Sequence, residues 1–110
     1  MIVDDIPTYE ELKQIKEEYT YSLYYPIIGG YFRIKINEDG EKNIALDYLE
    51  GGFLTYIHRN FNSKYSFSHL YKFNKKNYEG LIKLYKEMLL KMLKETEFAL
   101  GKVEAYENRS

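Results

Sequence analysis

Between Phe73 and Gly101 the apolar residues recur with the period of an α-helix, and no other stretch limits the fold so tightly. At about 100° per residue, Tyr78, Leu81, Ile82, Tyr85, Met88, Leu89, Met92, Leu93, Ala99 and Leu100 fall within roughly 140° of arc, the width of a stripe that covers a core. Lys83, Glu87, Lys91 and Lys94 fall opposite. Asn74 is the expected N-cap, since its side-chain oxygen can accept from an orphan amide of the first turn, and Phe73 and Tyr78 sit where a hydrophobic staple forms. Asn77 is a second candidate. Gly101 is the expected end, a residue that adopts the left-handed conformation readily, so Lys102 to Ser110 should form a frayed polar tail. Leu84, Leu90 and Phe98 lie off the stripe. Each should sit under a loop, against the N-terminal segment, or facing a partner.

The rest of the chain supplies what such a helix would cover. Thr8-Tyr9-Glu10-Glu11 has the spacing of a capping box after Pro7, which predicts a short helix from about Tyr9 to Glu18. From Tyr19 the period changes to two, with Tyr19, Tyr21, Leu23 and Tyr25 on one face of a strand that Pro26 should end. Asn37-Glu38-Asp39-Gly40-Glu41 suits a three-residue hairpin loop with Gly40 left-handed in a bulge. That loop predicts the pairs Ile36 with Lys42, Ile34 with Ile44 and Phe32 with Leu46, which places most apolar residues on one face. Tyr31, Arg33, Lys35, Asn43, Ala45 and Asp47 then form a mostly solvated opposite face. After Gly51-Gly52, a run over 53–59 reads as another strand. In residues 65–73 every odd position is aromatic or histidine, and a hairpin centred between Ser63 and Lys64 would set Leu54 against Phe73, Tyr56 against Tyr71 and His58 against His69. The expected architecture is α+β, an antiparallel meander of about five strands with a short N-terminal helix and a long C-terminal helix packed on one face.

The 110 residues are enough for one domain, spanning 1–110 with frayed tails at 1–7 and 102–110, that buries roughly two-thirds of its unfolded surface. The absence of cysteine removes disulfides, thiolate zinc sites and a cysteine nucleophile. Asp4, Asp5, Glu10 and Glu11 stand where a secretory leader would be basic or apolar. Lysines interrupt the most apolar window, so no membrane contact and a cytoplasmic location are expected. The thirteen tyrosines suit a rigid contact surface, although the lysine-over-arginine bias points equally to base composition. Charge is polarised. Residues 1–58 hold eleven acids and five bases, whereas residues 59–94 hold two acids and nine bases.

One constellation has catalytic potential: His58, Arg59, His69 and Lys72, with Tyr56 or Tyr71. Two histidines on neighbouring strands could serve as acid and base in metal-independent ribonuclease chemistry, with Arg59 and Lys72 holding phosphate. A zinc site lacks a third ligand, and neither metal nor cofactor is expected. The basic 59–94 segment, interleaved with aromatics, supports a second reading as an RNA- or DNA-binding protein.

The short capped helix, the meander with its Asp39-Gly40 hairpin, and the closing helix entered through Phe73-Asn74 together resemble the immunity proteins of bacterial toxin systems and phage-encoded inhibitors of host defence. The resemblance covers organisation and transfers no functional residue. It implies a non-enzymatic protein-binding inhibitor that occludes a basic active site with acidic and aromatic side chains. In this chain Glu38, Asp47, Tyr48, Glu50, Tyr56, His58 and His69 are the residues placed to make such contacts. Monomer and homodimer are both compatible, because an open sheet has edges that can pair.

Overall fold

The computed structural model describes residues 6–15, 22–49 and 64–109. They form helix α1 (Tyr9–Lys13), strands β1 (Ser22–Ile27), β2 (Gly30–Ile36), β3 (Lys42–Tyr48) and β4 (Tyr71–Lys72), and helix α2 (Lys75–Glu107). The strands make one antiparallel sheet in the order β1-β2-β3-β4. The α+β architecture is as the sequence predicts, with four strands among the described residues where about five are expected. The run 53–59, and with it the pairs Leu54–Phe73, Tyr56–Tyr71 and His58–His69, lies outside the described residues.

Turn chemistry sets the register at the centre of the sheet. Gly40 has φ 84°, its amide donates to the Asn37 carbonyl at 2.9 Å, and the Asn37 amide donates to the Glu41 carbonyl at 2.8 Å. The strands therefore pair Ile36 with Lys42, Ile34 with Ile44 and Phe32 with Leu46, the predicted register. Those apolar side chains are buried together with Leu12 of α1 and Leu81, Leu84, Tyr85 and Met88 of α2. Burial of each such side chain contributes about 1.5–3 kcal/mol, so this two-layer contact dominates the fold.

Four boundaries differ from the sequence reading. Pro26 does not end β1 but pairs opposite Tyr31, which an edge strand allows because the missing amide would face away from β2. Helix α1 stops at Lys13, where the ammonium of Lys42 meets its terminal carbonyls: Lys42 Nζ donates to Leu12 at 3.0 Å, to Lys13 at 3.2 Å and to Ile15 at 2.7 Å. Residues 65–73 are not one extended run. Ser68, at φ 60°, turns the chain so that Phe67 enters the core, and only Tyr71–Lys72 joins the ladder beside β3. Helix α2 passes straight through Gly101 to Glu107, so residues 102–107 are helical. A glycine costs about 1 kcal/mol in a helix interior, which is too little to stop a helix whose hydrogen bonds continue on both sides.

The start of α2 follows its caps. Asn74 Oδ1 accepts from the Asn77 amide at 2.8 Å. Phe73 and Tyr78 clasp the ring of Tyr9, which stacks on Phe73 at 5.1 Å and meets Tyr78 edge-on at 5.8 Å. Tyr78 also donates to the Pro7 carbonyl and Tyr85 to the Ile28 carbonyl, each at 2.7 Å. The helix thereby holds α1 with one phenol and the β1–β2 turn with the other.

Candidate functional site

The outer face of the sheet is less solvated than its sequence suggests. Arg33 Nε donates to Asp47 Oδ2 at 2.9 Å across the β2–β3 ladder, and the Asp47 side chain is only 7% exposed. Ala45 is fully buried, Tyr31, Arg33 and Asn43 are half-buried, and Lys35 alone of this set is exposed. Tyr24 of the edge strand sits edge-on to Tyr31 at 5.2 Å. The end of this face holds a hollow of about 280 Å³ lined by Tyr31, Asp47, Tyr48, Leu49 and Ser68. Its carboxylate is already engaged by Arg33, so the hollow offers phenols and a serine rather than an unspent charge.

The candidate contact residues do not converge. Glu38 is exposed in the β2–β3 loop, at the opposite end of β3 from Asp47 and Tyr48. Tyr48 is half-buried, edge-on to the buried Phe67 ring at 5.6 Å. His69 is exposed and leans on Tyr71 with 4.5 Å between ring centres. Glu50, Tyr56 and His58 lie outside the described residues, and so does Arg59. Among the described residues no three His, Cys, Asp or Glu side chains gather as metal ligands, and no helix is long and apolar enough to cross a membrane.

A second surface extends the partner-facing alternative expected of Leu90 and Phe98 to residues past Gly101. Helix α2 has 33 residues and so runs about 50 Å, in a molecule of extents 64 × 32 × 22 Å. Among the described residues, the last helix side chain packed against the core is Met92. All fourteen residues from Thr96 to Arg109 are exposed, and they include Phe98 at 69% and Tyr106 at 76% of their full surface, with Leu100 and Val103 about half exposed. Leu90 and Leu93, just before, are exposed as well. They line an open groove with Lys91, Lys94 and Glu97 along the helix. Of the three off-stripe residues, Leu84 is buried in the core, whereas Leu90 and Phe98 face solvent. The signal for this arm was present in the sequence: Val103 and Tyr106 fall inside the same arc as Leu81 and Tyr85, beyond the glycine read as a stop.

No family model, no curated protein and no solved structure matches the chain.

Proposed function

We propose that the chain is a non-enzymatic protein-binding domain, an inhibitor of the immunity-protein kind, in which the sheet is the scaffold and the exposed end of α2 is a docking surface. The arm from Leu90 to Tyr106 carries this reading. Six large apolar side chains stand in solvent there, and a helix of this kind presents anchors at spacings of three and four residues to a partner. The sheet has spent Asp47 on Arg33, and the acidic Glu38, Asp39 and Glu41 of the β2–β3 loop supply electrostatic steering toward a basic partner rather than anchors.

The full chain, immobilised, would be used to capture proteins from its native host. A stoichiometric partner retained by the wild type and lost with Leu90→Ser/Phe98→Ser supports the reading, and capture of no stoichiometric protein removes it. Exposed Lys72, Lys75, Lys76, Lys83, Lys86 and Lys94 favour nucleic acid as the second reading. That reading predicts binding to labelled single-stranded RNA that weakens steeply with salt.

A further inference from the structure

The rings of Tyr65, Tyr71 and His69 form a column at the entrance to α2. Tyr65 lies across the helix at Gly80, where a Cβ would overlap its ring, and its hydroxyl donates to Asn77 Oδ1 at 2.9 Å. Tyr71 meets it edge-on with 5.0 Å between ring centres, and the Tyr71 hydroxyl accepts from the Ser66 amide at 2.8 Å. His69 packs on Tyr71 at 4.5 Å and is itself exposed, so the column ends in a ring that solvent reaches. The two phenols, packed against the core and held by their hydroxyls, give the imidazole a rigid backing.

The chain around these rings is basic. Residues 64–78 hold four lysines, one histidine and no acid, and Lys64, Lys72, Lys75 and Lys76 are all exposed. Lys64 and Lys72 are chain neighbours of Tyr65 and Tyr71, and Lys76 precedes the Asn77 that holds Tyr65, so these cations are tethered close to the column. The bordering acids come from outside the segment: Glu79 one turn into the helix, Glu11 beside Tyr78, and Glu41 next to the Lys42 carbonyl that accepts from the Phe73 amide. Further along α2 the two signs are interspersed, Lys83, Lys86, Lys91 and Lys94 with Glu87, Glu95 and Glu97. The phenols of that stretch turn inward, Tyr78 donating to Pro7 and Tyr85 to Ile28. Among the described residues, only the entrance joins a run of exposed lysines to an exposed ring with others stacked behind it.

Taking up the nucleic-acid reading above, we infer that this entrance binds a single-stranded nucleic acid, with a base stacked on His69 and phosphates on Lys64, Lys72, Lys75 and Lys76. The strand has to be unpaired, since bases stacked within a duplex leave no face for the imidazole. The surface lies about 20 Å along the helix from Leu90, where the protein-docking arm begins, so the two partners occupy separate parts of the molecule.

The test is fluorescence anisotropy of the full chain with labelled oligouridine of about eight nucleotides, run beside oligothymidine to tell RNA from DNA. Four phosphate contacts predict that log K falls against log salt with a slope of about −3. Lys75→Glu/Lys76→Glu should weaken binding at least about tenfold and roughly halve that slope. Its circular dichroism spectrum should be unchanged, because both side chains are exposed. His69→Ala should weaken binding about tenfold with the slope nearly unchanged, and His69→Phe, which keeps a ring, should restore it. Failure of the wild type to bind either oligonucleotide overturns the inference, as does equal binding of an abasic strand of the same length. A loss through Lys83→Glu/Lys86→Glu as large as that at Lys75 and Lys76 leaves the nucleic-acid reading standing and overturns this site. Leu90→Ser/Phe98→Ser should bind the oligonucleotide as the wild type does, and a loss there overturns the separation of the two surfaces.

Discussion

Lys42 donates from its ammonium to the Ile15 carbonyl at 2.7 Å, joining the start of β3 to the chain just past α1. Lys42 is 6% exposed and its ammonium also reaches the Leu12 and Lys13 carbonyls, lying 5.3 Å from the centre of the Phe73 ring. A lysine on the core face of a hairpin is costly unless its donors are satisfied, and here helix-end carbonyls, which carry partial negative charge, satisfy them. Lys42→Met keeps the stem but strands those carbonyls. It should cost about 2–4 kcal/mol, read as a lower urea midpoint at constant slope. A cost under about 0.5 kcal/mol would mean that water takes the place of the ammonium.

The two phenols that α2 extends into the fold give the protein an alkaline limit. Burial raises the pKa of Tyr78, with the nearby Glu11 carboxylate adding to the effect, and burial raises that of Tyr85. In each case the folded state holds the phenolic proton more tightly than the unfolded chain does. The stabilisation is fully present below the ordinary tyrosine pKa of about 10 and is lost as pH climbs through the folded value. Tyr78→Phe and Tyr85→Phe should each cost about 1 kcal/mol at neutral pH, through loss of the bonds to Pro7 and Ile28, and should flatten the fall in stability above about pH 10. Urea unfolding measured across that range checks both effects.

Local sequence was a good guide where two short-range signals agreed. The register around Gly40 follows from loop length and from alternation together, and the cap at Asn74 follows from its own side chain and the Phe73–Tyr78 staple. Alternation likewise placed Lys42 on the core face, but its carbonyl partners lie 27 to 30 residues upstream, and no local pattern names them. The outer face was misread for the same reason, because Asp47 looks like a solvated strand residue until Arg33 is seen beside it. Gly101 misled in the other direction. A glycine signals a helix end only if the chain beyond it has no reason to stay helical, and Val103 and Tyr106 continue the stripe. The predicted contact residues were chosen by chemical type, and the fold separates Glu38 from Asp47 by the length of β3.

Two glycines in α2 should answer the same substitution with opposite signs. A Cβ on Gly80 would overlap the ring of Tyr65, whose hydroxyl donates to Asn77 Oδ1 at 2.9 Å. A Cβ on Gly101 meets no atom within 4 Å. Alanine gains up to about 1 kcal/mol over glycine at either position through helix propensity. At Gly101 that gain is unopposed, so Gly101→Ala should raise helicity and the thermal midpoint slightly. Gly80→Ala has to displace a ring held by Asn77 and by Tyr71, whose ring centre is 5.0 Å away, and should lower stability by about 1–3 kcal/mol. Equal responses at the two sites would mean that the Tyr65 ring is not seated on the helix.

The Arg33–Asp47 pair should behave as a structural contact of the outer face. Asp47 is nearly buried and Arg33 is 23% exposed, so removing one partner leaves a desolvated charge, whereas removing both leaves none. Asp47→Ala should therefore cost about 2–3 kcal/mol, and adding Arg33→Ala should recover part of that loss, giving a coupling of about 1–2 kcal/mol in a double-mutant cycle. If the acid instead met a binding partner, Asp47→Ala would weaken capture of that partner while leaving the unfolding midpoint unchanged. The bond at 2.9 Å predicts the reverse. Unfolding of the four proteins of the cycle, run beside the capture assay, separates the two outcomes.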